Sequence, residues 1–178
     1  MLALAFAPFY LWPLSILVPA GLLWLNRSTF AAPALFLNGW YFGVGYFGCG
    51  LYWIYNSLHD FGMAPPIVAG GITGLLVLYL ALFTGLIFAC WHCAKQRTGD
   101  SSLWLLPLFW FGLEWFKGWF LTGMPWLSLG YSQTGSPLAG FAPVIGVYGI
   151  SAICLVMAVA LFLLLRDKRL PMLALLLG

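Results

Sequence analysis

The chain has 178 residues, of which 63% are hydrophobic, 19% aromatic and only 6% charged. A typical soluble domain is about 45–50% apolar and about 25% charged. This composition therefore excludes a water-soluble monomer, and its apolar content also excludes a disordered chain. The formal charge of +3, without a long basic run, excludes a nucleic-acid partner. We predict an all-α integral membrane protein embedded in the lipid bilayer, whose length allows about five or six spans of roughly 20 residues.

Five apolar segments predict five full transmembrane helices in a single transmembrane domain covering residues 1–178. In chain order they cover residues 12–25, 31–54, 67–91, 103–120 and 141–165. The first is short and contains Pro19, which would kink the helix unless neighbouring helices satisfy the freed carbonyl. Residues 1–7 and 170–178 are apolar but too short to cross a bilayer. We therefore expect partial helices at both termini, as in a piece of a longer membrane protein.

The basic residues predict which connections face the cytoplasm. Six of the seven lie in or beside residues 26–30, 92–102 and 166–169, which alternate with basic-free connections at residues 55–66 and 121–140. Cytoplasmic loops of membrane proteins carry an excess of Lys and Arg. We therefore predict that the three basic connections are cytoplasmic and that the other two face outward.

A glycine-rich segment lies in the second predicted span. Gly43-x-Gly45-x-x-Gly48 matches the dinucleotide-binding pattern by its letters, but that fingerprint requires a preceding strand and an acidic residue about 20 positions later. Neither requirement is met here. Together with Gly39, these glycines instead predict close helix packing, because small residues let two backbones approach.

The cysteines do not form a convincing metal or redox site. Cys90 and Cys93 lie on the predicted cytoplasmic side with His92, whereas His59 is predicted to face outward. The two groups therefore cannot complete one tetrahedral zinc site. We predict no metal and no cofactor.

Glu114 and Lys117 lie three residues apart in the fourth predicted span, so their side chains share one helix face. Ionisable residues at membrane depth are costly and are by default functional candidates. Three interpretations remain open. The residues form an ion pair that shapes a water-filled cavity, or one of them contacts a substrate directly, or both lie at the outer interface and extend their charged groups to water.

Residues 118–133 follow directly and contain three glycines, a proline, hydroxyl residues and an amide, without a charge. Such a segment cannot be one straight helix facing lipid, and irregular backbone is tolerated at this depth only inside protein or along a cavity. Together with residues 55–63 it predicts an outward-facing cavity lined by aromatic side chains. Its candidate substrate-contacting residues are Phe61, Trp126, Tyr131 and Gln133.

The same part of the chain resembles the membrane domain of the bacterial apolipoprotein N-acyltransferase family. The resemblance extends over nearly the whole chain and is carried by five motifs. These are Glu-Trp-Phe-Lys-Gly-Trp at 114–119, Thr-Gly-Met-Pro-Trp at 122–126, Gly-Tyr-Ser-Gln at 130–133, Pro-Leu-Ala-Gly-Phe-Ala-Pro at 137–143 and Gly-Val-Tyr-Gly-Ile at 146–150.

The resemblance implies an acyltransferase of the bacterial inner membrane. Such enzymes move an acyl chain from a phospholipid donor to the N-terminal amine of diacylglyceryl-cysteine in a diacylated apolipoprotein. The family's catalytic cysteine, glutamate and lysine belong to a nitrilase-like domain that follows the membrane spans. By this resemblance the chain contains no catalytic residue and is inert alone.

Two other classes of protein remain as alternatives. A small transporter or channel component would use Glu114 and Lys117 to line a pathway, but it would be expected to contain paired broken helices, and no second copy of the irregular segment occurs in the sequence. A non-catalytic membrane scaffold would bind a partner through its glycine-rich groove. It would not need the polar, irregular segment after Lys117.

Overall fold

A computed structural model describes residues 1–29 and 31–167. These residues are mostly helical and contain no β-strand. Most helices begin with a proline in the first turn, a position where the missing N–H has no partner to lose. The α-helices in these ranges are α1 (Leu14–Leu25), α2 (Ala32–Gly50), α3 (Tyr52–Asn56), α4 (Pro66–Thr98), α5 (Leu106–Lys117) and α6 (Ala142–Arg166).

The prediction of an all-helical chain is confirmed, but five full spans are not shown. In the described part of the chain, two helical stretches are long and apolar enough to cross a membrane, Pro66–Lys117 and Pro137–Arg166. The first includes both α4 and α5, which the turn at Gly99 separates. The helices within predicted spans 12–25 and 103–120 have only 12 residues each. The span predicted at 31–54 is interrupted at Leu51, directly after the glycine-rich end of α2.

Two predicted connections are largely helical in the structure. The prediction of a turn at 92–102 is wrong for residues 92–98. There α4 continues as far as Thr98, because this stretch contains no glycine or proline. The chain turns at Gly99, whose φ of 60° suits a residue without a side chain. Residues 55–66 are likewise helical as far as Phe61, first as the end of α3 and then as one π-helical turn, Ser57–Phe61.

The most extensive helix pair is formed by α2 and α4. A Cβ atom added at Gly39 would lie 2.7 Å from the Thr84 carbonyl oxygen, and one at Gly43 would lie 2.8 Å from the Ala81 Cα. Real side chains do not tolerate such distances, so these two positions require glycine for the observed approach. The predicted role in helix packing is confirmed for Gly39 and Gly43, whereas a Cβ atom added at Gly45 would have no neighbour within 4 Å.

The first residues of the chain pack against this bundle. Residues Leu2–Ala5 form a single 3₁₀ turn in contact with α1 and α2, and Leu2 and Ala5 are fully buried. The partial helix predicted at 1–7 is therefore a packed turn. The other predicted partial helix, at 170–178, lies outside the described residues, as do Lys168 and Arg169 of the basic connection at 166–169.

Arg27, Lys95 and Arg166, one from each predicted basic connection, line a common small cavity. They therefore lie at one end of the bundle, near the start of α2. The other end of α2 is about 28 Å away, because an α-helix rises about 1.5 Å per residue. We call these the basic end and the distal end.

Candidate functional site

A recess of about 460 Å³ opens at the distal end, next to the last turn of α2. Its volume lies within the range of about 300–1,000 Å³ that is usual for small-molecule sites. Apolar and aromatic side chains dominate its wall. The lining residues are Phe6, Gly50, Leu51, Trp53, Pro125, Trp126, Leu127 and Tyr131.

Three of the lining side chains are aromatic and remain accessible. Trp53 is 41% exposed, Trp126 is 53% exposed and Tyr131 is 45% exposed. The ring centroids of Trp53 and Trp126 lie 6.4 Å apart, so the two indoles form one surface. A group of exposed aromatic rings around a concavity indicates a binding surface for an apolar group.

One wall of the recess is built by the α5–α6 connection, residues 118–141. Its backbone is irregular, with positive φ at Leu121, Thr122, Gly123 and Leu127. The same connection contains short 3₁₀ turns at Phe120–Thr122, Leu129–Gln133 and Pro137–Phe141, the first of which includes Leu121 and Thr122. The prediction that this segment is not a straight helix is confirmed.

Glu114 and Lys117 at the end of α5 hold this connection in place. A Glu114 carboxylate oxygen accepts a hydrogen bond of 2.7 Å from the Leu129 backbone N–H. The Lys117 ammonium donates to the Trp126 carbonyl at 3.3 Å and lies 5.3 Å from the centre of the Phe47 ring. Both side chains are buried, with exposures of 7% and 3%. They provide partners for backbone groups that no helix satisfies.

The two residues do not form the ion pair that was one interpretation of their spacing. Among the described residues, the ion pairs closer than 4.0 Å all involve Arg166. Glu114 and Lys117 border a cavity of only about 20 Å³, enough space for one water molecule. Each side chain instead forms a hydrogen bond with the connection. An unpaired buried backbone group costs about as much as a lost hydrogen bond, which favours this arrangement over a direct ion pair.

Hydroxyl groups from two other helices hold the same connection. The Tyr46 hydroxyl of α2 donates to the Leu127 carbonyl at 2.7 Å. The Ser151 hydroxyl of α6 accepts from the Gly130 N–H at 2.8 Å. A Cβ atom at Gly130 would lie 3.0 Å from the Val147 carbonyl carbon, so the connection also needs a glycine where it approaches α6.

The structure separates the predicted site residues into four groups. Trp126 and Tyr131 line the recess, whereas Glu114 and Lys117 lie behind its wall. Gln133 is fully buried, where its amide nitrogen donates to the Ser15 hydroxyl at 2.5 Å and its amide oxygen accepts from Ser136 at 2.6 Å. Phe61 is 86% exposed and is not among the lining residues.

Sequence reasoning missed Phe6 and Trp53 as lining residues. Phe6 lies in the short apolar segment 1–7, and Trp53 lies near the end of the predicted span 31–54. Their common signal is an aromatic residue next to a break in a helix. Trp53 follows the interruption at Leu51, and Phe6 directly follows the turn Leu2–Ala5.

The recess has a lining suited to an apolar chain. Among the residues that the structure describes, this lining contains no cysteine, serine, histidine or carboxylate. Across residues 1–29 and 31–167, no three His, Cys, Asp or Glu side chains cluster closely enough to hold a metal ion. The arrangement is therefore suited to positioning a ligand.

Comparisons with known proteins identify relatives over almost the whole chain. The family model of the apolipoprotein N-acyltransferase N-terminal domain matches residues 1–160. The chain is 42% identical over 175 residues to an apolipoprotein N-acyltransferase of Coxiella burnetii, which covers 96% of this chain and 35% of the relative. It is 43% identical over 169 residues to one from Nitrosomonas europaea, which covers 92% of this chain and 33% of the relative.

The chain thus spans about a third of the length of these relatives. The matched part of the chain contains α1 to α5, the recess and nearly all of α6. The resemblance seen in the sequence motifs is confirmed. The chain belongs to the family of the apolipoprotein N-acyltransferase N-terminal domain.

Proposed function

We propose that this chain is the membrane domain of an apolipoprotein N-acyltransferase. The complete enzyme would transfer an acyl chain from a phospholipid to the N-terminal amine of diacylglyceryl-cysteine in an apolipoprotein. Family membership and the helical, strongly apolar fold support this proposal. As the resemblance to the family implies, the catalytic cysteine would belong to a further, nitrilase-like domain, and the chain alone would be inert.

The observation that carries the proposal is the aromatic recess. Its exposed rings offer apolar contact, and its irregular wall is held by buried hydrogen bonds from three helices. Fixed positioning matters for acyl transfer, because holding reactants in a productive geometry lowers the barrier to their reaction. We propose that the recess receives an acyl chain or its glycerol linkage and presents the ester to the catalytic domain.

The candidate residues then have different roles. Trp126 and Tyr131, together with Trp53, would contact the lipid substrate directly. Glu114, Lys117 and Gln133 would act through the α5–α6 connection as positioning residues, since each is buried. Phe61 projects from the neighbouring π-helical turn and would contact the apolipoprotein or the surrounding lipid.

We further propose an orientation in the bacterial inner membrane. The basic end would face the cytoplasm, as the excess of Lys and Arg in cytoplasmic loops favours. The distal end, with residues 55–66 and 121–140, would then face outward. Basic side chains from three separate connections lie together at one end of the bundle, which supports this orientation.

A chimeric enzyme tests the proposal. The chain would replace the corresponding third of the Coxiella burnetii relative, and acylation of a diacylated lipopeptide would be measured with phospholipid as donor. Trp126→Ala should lower the rate about tenfold. Loss of a large aromatic contact costs on the order of 1.4 kcal/mol of interaction free energy with the substrate, which corresponds to about a factor of ten. The matched control is Trp104→Ala, which removes an equally exposed indole (52%) that does not line the recess.

A chimera in which Trp126→Ala and Trp53→Ala both retain full activity would contradict the assignment of the recess. Equal losses in the Trp104→Ala control would also contradict it, because the effect would then come from tryptophan removal in general.

A further inference from the structure

A second cavity, of about 70 Å³, lies at the basic end, where α1, α4 and α6 converge. It has space for about two water molecules or one compact oxyanion, since water occupies about 30 Å³ in the liquid. The polar residues in its lining come from four separate parts of the chain. They are Arg27, Trp91, Lys95, Asp100, Ser102 and Arg166.

Two polar atoms of this lining are buried without a partner. The Trp91 indole N–H and the Ser102 hydroxyl have no hydrogen bond within the described residues, and their side chains are 2% and 0% exposed. Buried polar groups are nearly always satisfied, so an unpartnered pair beside one cavity indicates a missing occupant. An indole N–H can only donate, and the occupant must therefore offer an acceptor.

The charges around the cavity indicate that the occupant is an anion. Arg166 binds Asp100 at 2.8 Å and Asp167 at 3.0 Å, so its charge is engaged. Arg27 donates to the Trp24 carbonyl at 2.8 Å, and its guanidinium lies 4.3 Å from the centre of the Trp24 ring. Within the described residues, no carboxylate forms an ion pair with Arg27. Its charge is therefore available to a ligand in the cavity.

An apolar groove of about 520 Å³ lies next to the cavity, between α1 and α6. Trp24 connects the two sites. It lines the groove, lies under the Arg27 guanidinium and packs edge-on against Phe162, with 6.3 Å between the two ring centroids. Phe162 in turn lines the cavity. A ligand with a negatively charged head and a hydrocarbon chain matches this combination of sites.

We propose that the basic end binds a phospholipid, with its phosphodiester at the cavity and one acyl chain in the groove. Arg27 and Lys95 supply the positive charge, and the Trp91 indole and Ser102 hydroxyl donate to phosphate oxygens. Charge-assisted hydrogen bonds of this kind are the strong ones in proteins. The site lies at the opposite end of α2 from the recess and is therefore separate from the proposed acyl-donor site.

Native mass spectrometry of the full purified chain with added phosphatidylglycerol tests this site. Arg27→Gln should weaken phosphatidylglycerol binding about tenfold, as expected for the loss of one charged hydrogen-bond donor. Lys95→Gln should also weaken phosphatidylglycerol binding. Binding of diacylglycerol, which has no phosphate, should not change in either variant. The matched control is Arg97→Gln, a cation at the same end of α4 that lines a different groove. Equal phosphatidylglycerol binding by Arg27→Gln, Arg97→Gln and the unmodified chain would overturn the proposal.

Ser102→Ala separates an occupied cavity from an empty one. With lipid phosphate bound, loss of the hydroxyl should weaken phosphatidylglycerol binding several-fold. In an empty cavity the substitution removes an unpartnered hydroxyl, so unchanged lipid binding with equal or greater thermal stability would overturn the proposal. Inorganic phosphate forms the last arm. If it displaces phosphatidylglycerol as readily as a second phospholipid does, the site recognises free phosphate and the lipid assignment is wrong.

Discussion

The helix pair α2–α4 and the α5–α6 connection satisfy their backbone hydrogen-bonding groups in opposite ways. In the pair, the backbone hydrogen bonds lie within each helix, and glycines at 39 and 43 bring the two helices close together. In the connection, four residues have positive φ, so its N–H and C=O groups cannot form a regular helical ladder. Side chains of α2, α5 and α6 supply the missing partners.

The difference shows why polar residues occur where they do in so apolar a chain. Close helix packing needs only small residues at the contact, since dispersion contacts between the two helices then stabilise the pair. An irregular segment needs a donor or acceptor for each exposed backbone group, and each unmet group is costly away from water. Glu114 and Lys117 are therefore explained by the connection they hold, next to the recess.

Glu114→Ala should have the largest effect on stability. It leaves the Leu129 N–H without its acceptor in a buried position, which costs about 3 kcal/mol, the upper part of the range for such groups. The free energy of unfolding, measured with denaturant in mixed micelles, would show the loss. Glu114→Gln keeps a carbonyl oxygen at the same place and should cost clearly less. Equal stability of the alanine variant and the unmodified chain would contradict the role assigned to this carboxylate.

Gly43→Ala tests the helix pair. The new methyl group would clash with Thr84 and lie 2.8 Å from the Ala81 Cα, and overpacking of this kind costs about 1–3 kcal/mol. Gly45→Ala is the matched control on the same helix, because no atom lies within 4 Å of its added Cβ. The free energy of unfolding should therefore be about 2 kcal/mol lower for Gly43→Ala than for Gly45→Ala. Similar values for the two variants would show that close approach is not what this glycine provides.

Tyr46→Phe should have the smallest effect and connects the two regions. Tyr46 lies on α2, yet its hydroxyl binds the Leu127 carbonyl of the connection. Loss of this hydrogen bond should cost about 1 kcal/mol in the free energy of unfolding. Tyr41→Phe removes a hydroxyl from an exposed position on the same helix and serves as the control. A larger effect at Tyr41 than at Tyr46 would argue against the contact.

Much of the site could be predicted from residue types alone. Glycine, proline and hydroxyl residues after Lys117 indicated an irregular segment, and its aromatics indicated an apolar pocket that includes Trp126 and Tyr131. The partners of Glu114 and Lys117 could not be predicted, because helical spacing shows only which residues share a face. Gln133 was assigned to the pocket for its polarity, whereas its amide is buried between Ser15 and Ser136.

By itself, the sequence determined that the chain is helical, strongly apolar and a member of its family, because composition and motifs are local properties. It also indicated where the backbone can leave a regular helix, since glycine permits conformations that other residues avoid and proline lacks the N–H that a helix interior needs. Only the tertiary structure decided that Phe6 and Trp53 complete the recess and that Arg27, Trp91 and Ser102 surround one cavity at the basic end. These residues are far apart along the chain, and only the packing of the helices brings them together.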